Sequence, residues 1–179
     1  VTKDLIHTGL DAISKSIKEC EKKARVRESI FSDLQEAGIA VRKRSDWKAK
    51  KAPGTDGEDW NYLAIVIHHA GNSYSCDNDG EVKMRQAEET DIKSFNHLSY
   101  HYAIDCTGII YEALDIREKG AHLKGANTGK IGIVFLSDFS LPGEASQYGP
   151  SRWGSLSEFA GQVKDNWDSS VDIPTTNQK

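Results

Sequence analysis

Ala64-Ile65-Val66-Ile67 is a run of apolar β-formers that ends at once on His68-His69, and this juncture constrains the chain more than any other segment. Branched aliphatic residues in an unbroken row predict a buried strand, and a second such row, Ile131 to Leu136, predicts its neighbour. Imidazoles set directly on a strand end are held by a rigid element, which suits metal binding or proton transfer. Successive strand residues point to opposite faces, so only one of His68 and His69 can face a given cavity while the strand stays regular.

The remaining segments place helices around these strands. Ile6, Leu10, Ile13 and Ile17 recur at three-to-four spacing, as do Val26, Ile30, Phe31 and Leu34, and residues 2 to 36 contain no proline. That pattern predicts an amphipathic helical arm over residues 1–38, packed on the domain behind it or docked on another protein. Dense charge and the turn formers Pro53-Gly54-Thr55-Asp56-Gly57 mark 41–60 as an irregular surface connection. Val82 to Phe95 reads as a polar helix, Tyr100 to Ile104 and Ile109 to Ala113 as a β-hairpin turning at Cys106-Thr107-Gly108, and Leu156 to Trp167 as a closing helix after a long loop over 140–154. Asp77-Asn78-Asp79-Gly80 lacks the later bidentate Glu of a calcium loop and reads as a turn. The order predicts an α/β fold: a mixed central β-sheet flanked by helices, with residues 39–179 as one domain.

At 179 residues, with net charge -4 and mean hydropathy -0.58, the chain is acidic and polar, and neither nucleic acid nor an anionic membrane is called for as a partner. No apolar run approaches the roughly 20 residues that span a bilayer. Cys20, Cys76 and Cys106 allow one bridge at most, and free or partly buried thiols are the simpler expectation. Read residue by residue, Tyr100 is equally an ordinary half-buried sheet aromatic, His122 a core histidine, His101 a structural or exposed one, and His97 a solvated one. Trp47 and Trp60 read as packing residues.

Taken together, these segments resemble the zinc-dependent N-acetylmuramoyl-L-alanine amidases, a family that includes the peptidoglycan recognition proteins and the phage lysozyme-amidases. Arg44-Ser45-Asp46-Trp47 is similar to the family's Arg-Ser-x-Trp, and Ile67-His68-His69-Ala70 to its Ile-His-His-Thr. Leu98-Ser99-Tyr100-His101-Tyr102, Asp105 to Glu112, Gly120-Ala121-His122-Leu123-Lys124-Gly125-Ala126-Asn127 and Ile131 to Phe139 match further family segments in the family's order. The resemblance implies a groove for a glycan carrying a stem peptide, with His68 as a zinc ligand and Tyr100 beside the metal as the oxyanion-side catalytic group. It also implies His122 and Asn127 on the groove wall. Glu89 stands where many recognition proteins carry a groove histidine, and is expected to bear on the substrate.

The implied reaction is hydrolysis of the amide between N-acetylmuramic acid and L-alanine by a zinc-activated water, with zinc as cofactor and peptidoglycan as substrate. The alternative is a peptidoglycan-binding module without hydrolysis. The family's other two zinc ligands come from a C-terminal Gly-His…Cys-Pro segment; here no His follows His122 and no Cys follows Cys106. A piece of a longer amidase is therefore expected, with His69, His101 or Asp138 as the substitute ligands otherwise. Scarce cysteines point to a bacterial effector or phage endolysin, acting in the periplasm or at the cell wall after export or delivery. In that setting the arm would meet a docking or immunity protein.

Overall fold

The computed structural model describes residues 2–52, 54–71, 79–139 and 150–166, with side chains from residue 6 onward and, in the last helix, over 154–163. The elements in chain order are α1 (Thr2–Glu36), β1 (Val41–Arg42), β2 (Ala64–His69), α2 (Gly80–Phe95), β3 (Tyr102–Ile104), β4 (Ile110–Glu112), β5 (Lys130–Phe135) and a last helix, α3 (Pro150–Asn166). The five strands form one sheet in the order β1-β4-β3-β5-β2. Only β3 and β4 run antiparallel; β1 on β4, β3 on β5 and β5 on β2 are parallel. This is the mixed sheet with flanking helices that the sequence predicts.

Strand alternation sorts the core into two layers. Ile65, Ile67, Tyr102, Ile104, Ile110, Ile131, Ile133 and Phe135 pack on one face, where Ile30, Phe31 and Leu34 of α1 and Leu156, Phe159 and Val163 of α3 cover them. Ala103, Tyr111, Val134 and Leu136 point the other way, under Met84 of α2, Leu98 and Trp47. Asp79 caps α2 by accepting from the Glu81 N–H, and Asn96 ends the helix in the left-handed conformation. The hairpin turn is fixed by Asp105, whose Oδ1 accepts from Thr107 N, Thr107 Oγ1 and Ile109 N while Oδ2 accepts from the Tyr111 hydroxyl.

Several expectations change. The 41–60 connection is not wholly superficial: Val41 and Arg42 pair with β4, and Trp47 is fully buried, its indole N–H donating 2.9 Å to the Glu112 carbonyl. A two-residue strand is too short to leave a periodic signal. The last helix begins at Pro150, inside the stretch read as loop, with proline in the first turn where its missing N–H costs nothing. His97 is buried rather than solvated; its Nδ1–H donates 2.7 Å to the Leu98 carbonyl. Cys106 is disulfide-bonded, against the expectation of free thiols, whereas Cys20 is free and exposed. Cys76 and most of the 140–154 loop lie outside the described residues.

Helix α1 is two things in one. Residues 6–22 are exposed throughout, whereas Ile30, Phe31 and Leu34 are core. The inner third is tied to the sheet by Arg27, which donates to both oxygens of the fully buried Glu112, Nε at 2.5 Å and Nη2 at 2.6 Å. Glu112 also accepts from the Arg44 backbone N–H at 3.1 Å. Removing one member of a buried pair leaves the other without compensation, so Glu112→Ala is predicted to cost about 3 kcal/mol. Urea unfolding of the two proteins measures it; a loss below about 1 kcal/mol would show that the pair is not what holds α1 to β4.

Candidate functional site

The period-two alternation of β2 persists to its last residues. His68 follows Val66 and turns to the α2 side of the sheet, while His69 turns to the α1 side, stacked on Phe139 with ring centroids 5.7 Å apart. Asp138 Oδ1 lies 3.5 Å from His69 Nδ1. The two histidines therefore occupy opposite faces, and only His68 enters the trough.

There His68 meets Tyr100 and His122. Ring centroids are 5.2 Å apart for His68 with Tyr100, 5.2 Å for His68 with His122, and 6.0 Å for Tyr100 with His122. His68 Nε2 and His122 Nδ1 are 3.1 Å apart. His122 Nε2 is 3.4 Å from the Lys130 carbonyl, which can only accept, so the proton of His122 is assigned to Nε2. Its bare Nδ1 then accepts from His68 Nε2–H, and the lone pair of His68 resides on Nδ1. Hydrogen bonding at one imidazole nitrogen decides which nitrogen is available to a ligand.

Two glycines make this arrangement possible. A Cβ on Gly132 would stand 2.5 Å from His122 Cδ2, and one on Gly120 would stand 2.8 Å from the same atom and 2.9 Å from the Ser99 carbonyl. The His122 ring lies directly on the β5 backbone where a side chain would otherwise be. Asn127 holds the loop that carries it, its Oδ1 accepting from the backbone N–H of His122 at 2.9 Å and of Leu123 at 2.7 Å. Beneath His122, the fully buried His101 accepts from Gly132 N–H at Nδ1 (3.0 Å) and donates from Nε2 to the Glu118 carbonyl (2.9 Å). His101 is thus structural, with neither nitrogen turned to the trough.

Burial disfavours charge on all of these rings. It lowers the pKa of His68, with His69 adding to the effect; it lowers His122 to about 3, helped by His101 and His68; and it lowers His101 to about 4. The Tyr100 hydroxyl is pushed up by burial and then by Asp91, so it remains a protonated donor at neutral pH. At neutral pH the cluster is three uncharged imidazoles and a phenol.

Beside Tyr100 the trough opens into an apolar cavity of about 150 Å³ lined by Met84, Leu98, Ala103, Val134 and Leu136, with Asp91 among its polar walls. Asp91 also accepts from the Ser99 N–H at 2.8 Å, which fixes the chain entering Tyr100. The sequence motifs do not single out Asp91, although its three-to-four spacing from Met84 and Ala87 marks it as inward-facing. Glu89 does not join the site: it is exposed on α2 and pairs with Lys50 at 3.2 Å. The helical phase that turns Glu88 into the protein turns Glu89 out.

The donor set can be tested for a metal. His68 offers Nδ1, but among the described residues no three His, Cys, Asp or Glu side chains stand together to hold an ion. The described residues therefore do not make a zinc site. Asp138 and His69 lie across the sheet, and both nitrogens of His101 are occupied by backbone, so neither substitutes.

Fold and trough define an α/β protein with a mixed five-stranded sheet and a trough of histidine and tyrosine rings on its α2 face. The N-acetylmuramoyl-L-alanine amidase family profile matches residues 58–175, and the chain belongs to that family. Peptidoglycan recognition protein 3 of Mus musculus is 31% identical over 107 residues, which are 58% of this chain and 31% of that one. Peptidoglycan-recognition protein SD of Drosophila simulans is 28% identical over 105 residues, 56% of each chain. The chain thus spans between about a third and just over half the length of these relatives. Among solved structures, Drosophila peptidoglycan recognition protein SD superposes with a TM-score of 0.66 at 22% identity, over 75% of this chain and 81% of that one, and Alvinella pompejana PGRP-Hd with 0.62 at 22% over 76% and 86%. These structures share the fold.

Two predictions follow from the packing. Gly132→Ala is predicted to evict the His122 ring and to cost about 1–3 kcal/mol, while Gly161→Ala, with nothing within 4 Å of its new methyl, leaves stability unchanged or raises it. Urea midpoints and the imidazole NMR correlations of His122 test the pair. The second concerns pH. His101 has an unfolded pKa near 6.5 and a folded value of about 4, so the unfolded chain binds the extra proton. Its contribution is complete above about pH 6.5 and is lost as pH falls toward 4; the urea midpoint should drop between pH 7.5 and 5, and His101→Gln should flatten that slope.

Proposed function

We propose that this chain binds peptidoglycan through its muramyl peptide, in the trough lined by His68, Tyr100 and His122. The single observation that carries the reading is the closed contact of these three rings at the open end of β2, in a chain of the N-acetylmuramoyl-L-alanine amidase family. A trough of neutral imidazoles and a phenol suits a sugar carrying amides: Tyr100 donates, the bare His68 Nδ1 accepts, and the apolar cavity beside Tyr100 takes a small aliphatic group. Tracheal cytotoxin is bound by the ectodomain complex of peptidoglycan recognition proteins LCa and LCx, a structure that this chain matches with a TM-score of 0.65. The site of action that fits such a ligand is the cell wall or the periplasm.

A second reading is the amidase itself, hydrolysing the bond between N-acetylmuramic acid and L-alanine with zinc as cofactor. The observation favouring it is the His68 lone pair, directed at a metal-competent nitrogen by the bond to His122, next to a protonated Tyr100. No catalytic step is assigned, because the described residues supply one ligand.

Purified sacculi separate the two. Co-sedimentation with sacculi, lost by at least tenfold in Tyr100→Ala and His122→Ala, is the expected outcome, and failure to sediment overturns the proposal. Release of stem peptide that requires added zinc and stops with a chelator would establish the hydrolase; binding without release, with or without zinc, leaves recognition as the function.

A further inference from the structure

The outer half of α1 carries large aliphatic side chains that the domain does not cover. Ile6, Leu10 and Ile13 are each 59% exposed and Ile17 is 54% exposed. At about 100° per residue the four share one stripe, roughly a quarter turn around the helix from the face that Lys23, Arg27, Ile30 and Leu34 press on the body. Contiguous exposed apolar surface of this kind marks an interaction site, and a helix half without tertiary packing is marginal in water.

The spacing of the stripe names its occupant. From Ile6 the steps are four, three and four residues, a coiled-coil seam that reads identically in either direction. Two copies related by a two-fold axis across the helices therefore match knob for knob, with Ile6 of one opposite Ile17 of the other and Leu10 opposite Ile13. The residues flanking the seam between Ile6 and Ile17 are His7, Gly9, Ser14 and Ser16; none is a carboxylate, lysine or arginine, and the antiparallel register sets His7 opposite Ser16 and Gly9 opposite Ser14. A parallel pair is disfavoured. Continued along the helix, the same face reaches Glu28, which is held by Lys43 and Arg27 of its own body, and the two bodies would lie side by side. In the antiparallel register the two bodies sit at opposite ends of the pair, away from each other's Glu28.

We propose that α1 is a homodimerisation element, an antiparallel helix pair closed by Ile6, Leu10, Ile13 and Ile17 from each copy. The interface is isologous, and it leaves the His68–Tyr100–His122 trough of each copy outside the seam.

Light scattering and sedimentation velocity on the full chain over a concentration series test it. The expected mass is twice 19.8 kDa at the upper concentrations. Leu10→Asp is expected to return the chain to a monomer with unchanged binding to sacculi, since Leu10 is solvent-facing in the single copy. In a Cys20→Ser background, Ile6→Cys mixed with Ile17→Cys should form a disulfide dimer on mild oxidation, whereas either alone should not. A monomer at every concentration, a dimer that survives Leu10→Asp, or crosslinking of Ile6→Cys by itself each overturns the proposal.

Discussion

The trough exists because one position of β5 has no side chain. An imidazole is broad and flat, and Gly132 lets the His122 ring rest on the strand backbone, close enough that even a methyl would stand 2.5 Å from it. From that seat His122 reaches His68 at 3.1 Å and faces Tyr100 across 6.0 Å. The same peptide unit that admits His122 on its surface donates its N–H to His101 beneath. Backbone of a central strand thus replaces the second layer of polar side chains that usually orients a site.

A site made of neutral rings is sensitive to different things from one made of charges. Burial depresses the basicity of every imidazole in it, so what the trough offers a ligand is the direction of hydrogen bonds rather than net charge. Directionality requires that each proton be fixed, and here the chain of acceptors does this: the Lys130 carbonyl sets His122, His122 sets His68, and the Glu118 carbonyl sets His101. The charged cluster that ties the elements together lies elsewhere. Glu112, Arg27 and the Arg44 backbone form a node on the opposite side of the sheet edge, and it ties α1 and the Trp47 segment to β4.

What the sequence discloses and what it hides divide along a physical line. The long apolar rows of β2 and β5, the hairpin and the amphipathic helices are periodic, and their identities survive in the structure. The His68/His69 division follows from alternation alone. The features that escape are set by contacts between distant segments. β1 is two residues of a charged stretch that pair with β4; His97 finds a carbonyl in a polar connection; and α3 starts inside a stretch rich in Gly and Pro. Glu89 was placed by likeness to other chains, and helical phase puts it in solvent. Asn127 was expected on the groove wall, and the structure uses its carbonyl oxygen to hold the His122 loop. Asp91 carried a legible signal in its spacing from Met84 and Ala87, but a lone carboxylate on a polar helix face does not declare itself until Tyr100 is set beside it.

The two halves of α1 show why length in a helix is not explained by propensity. Its inner third is fixed by burial of Ile30, Phe31 and Leu34 and by the buried carboxylate of Glu112. Its outer half has exposed aliphatic residues and solvent-facing polar contacts such as His7 with Asp11 and Glu21 with Arg25. Exposed pairs of that kind contribute a few tenths of a kcal/mol each, too little to offset the ordering of a whole helical half. The rigid inner anchor supplies the nucleus, so each further residue adds one hydrogen bond per pair of dihedrals fixed. The cost of exposing four aliphatic side chains remains. A body that pins one end of a helix while leaving such a stripe uncovered at the other has the geometry of a preformed docking arm, already ordered before its complement arrives.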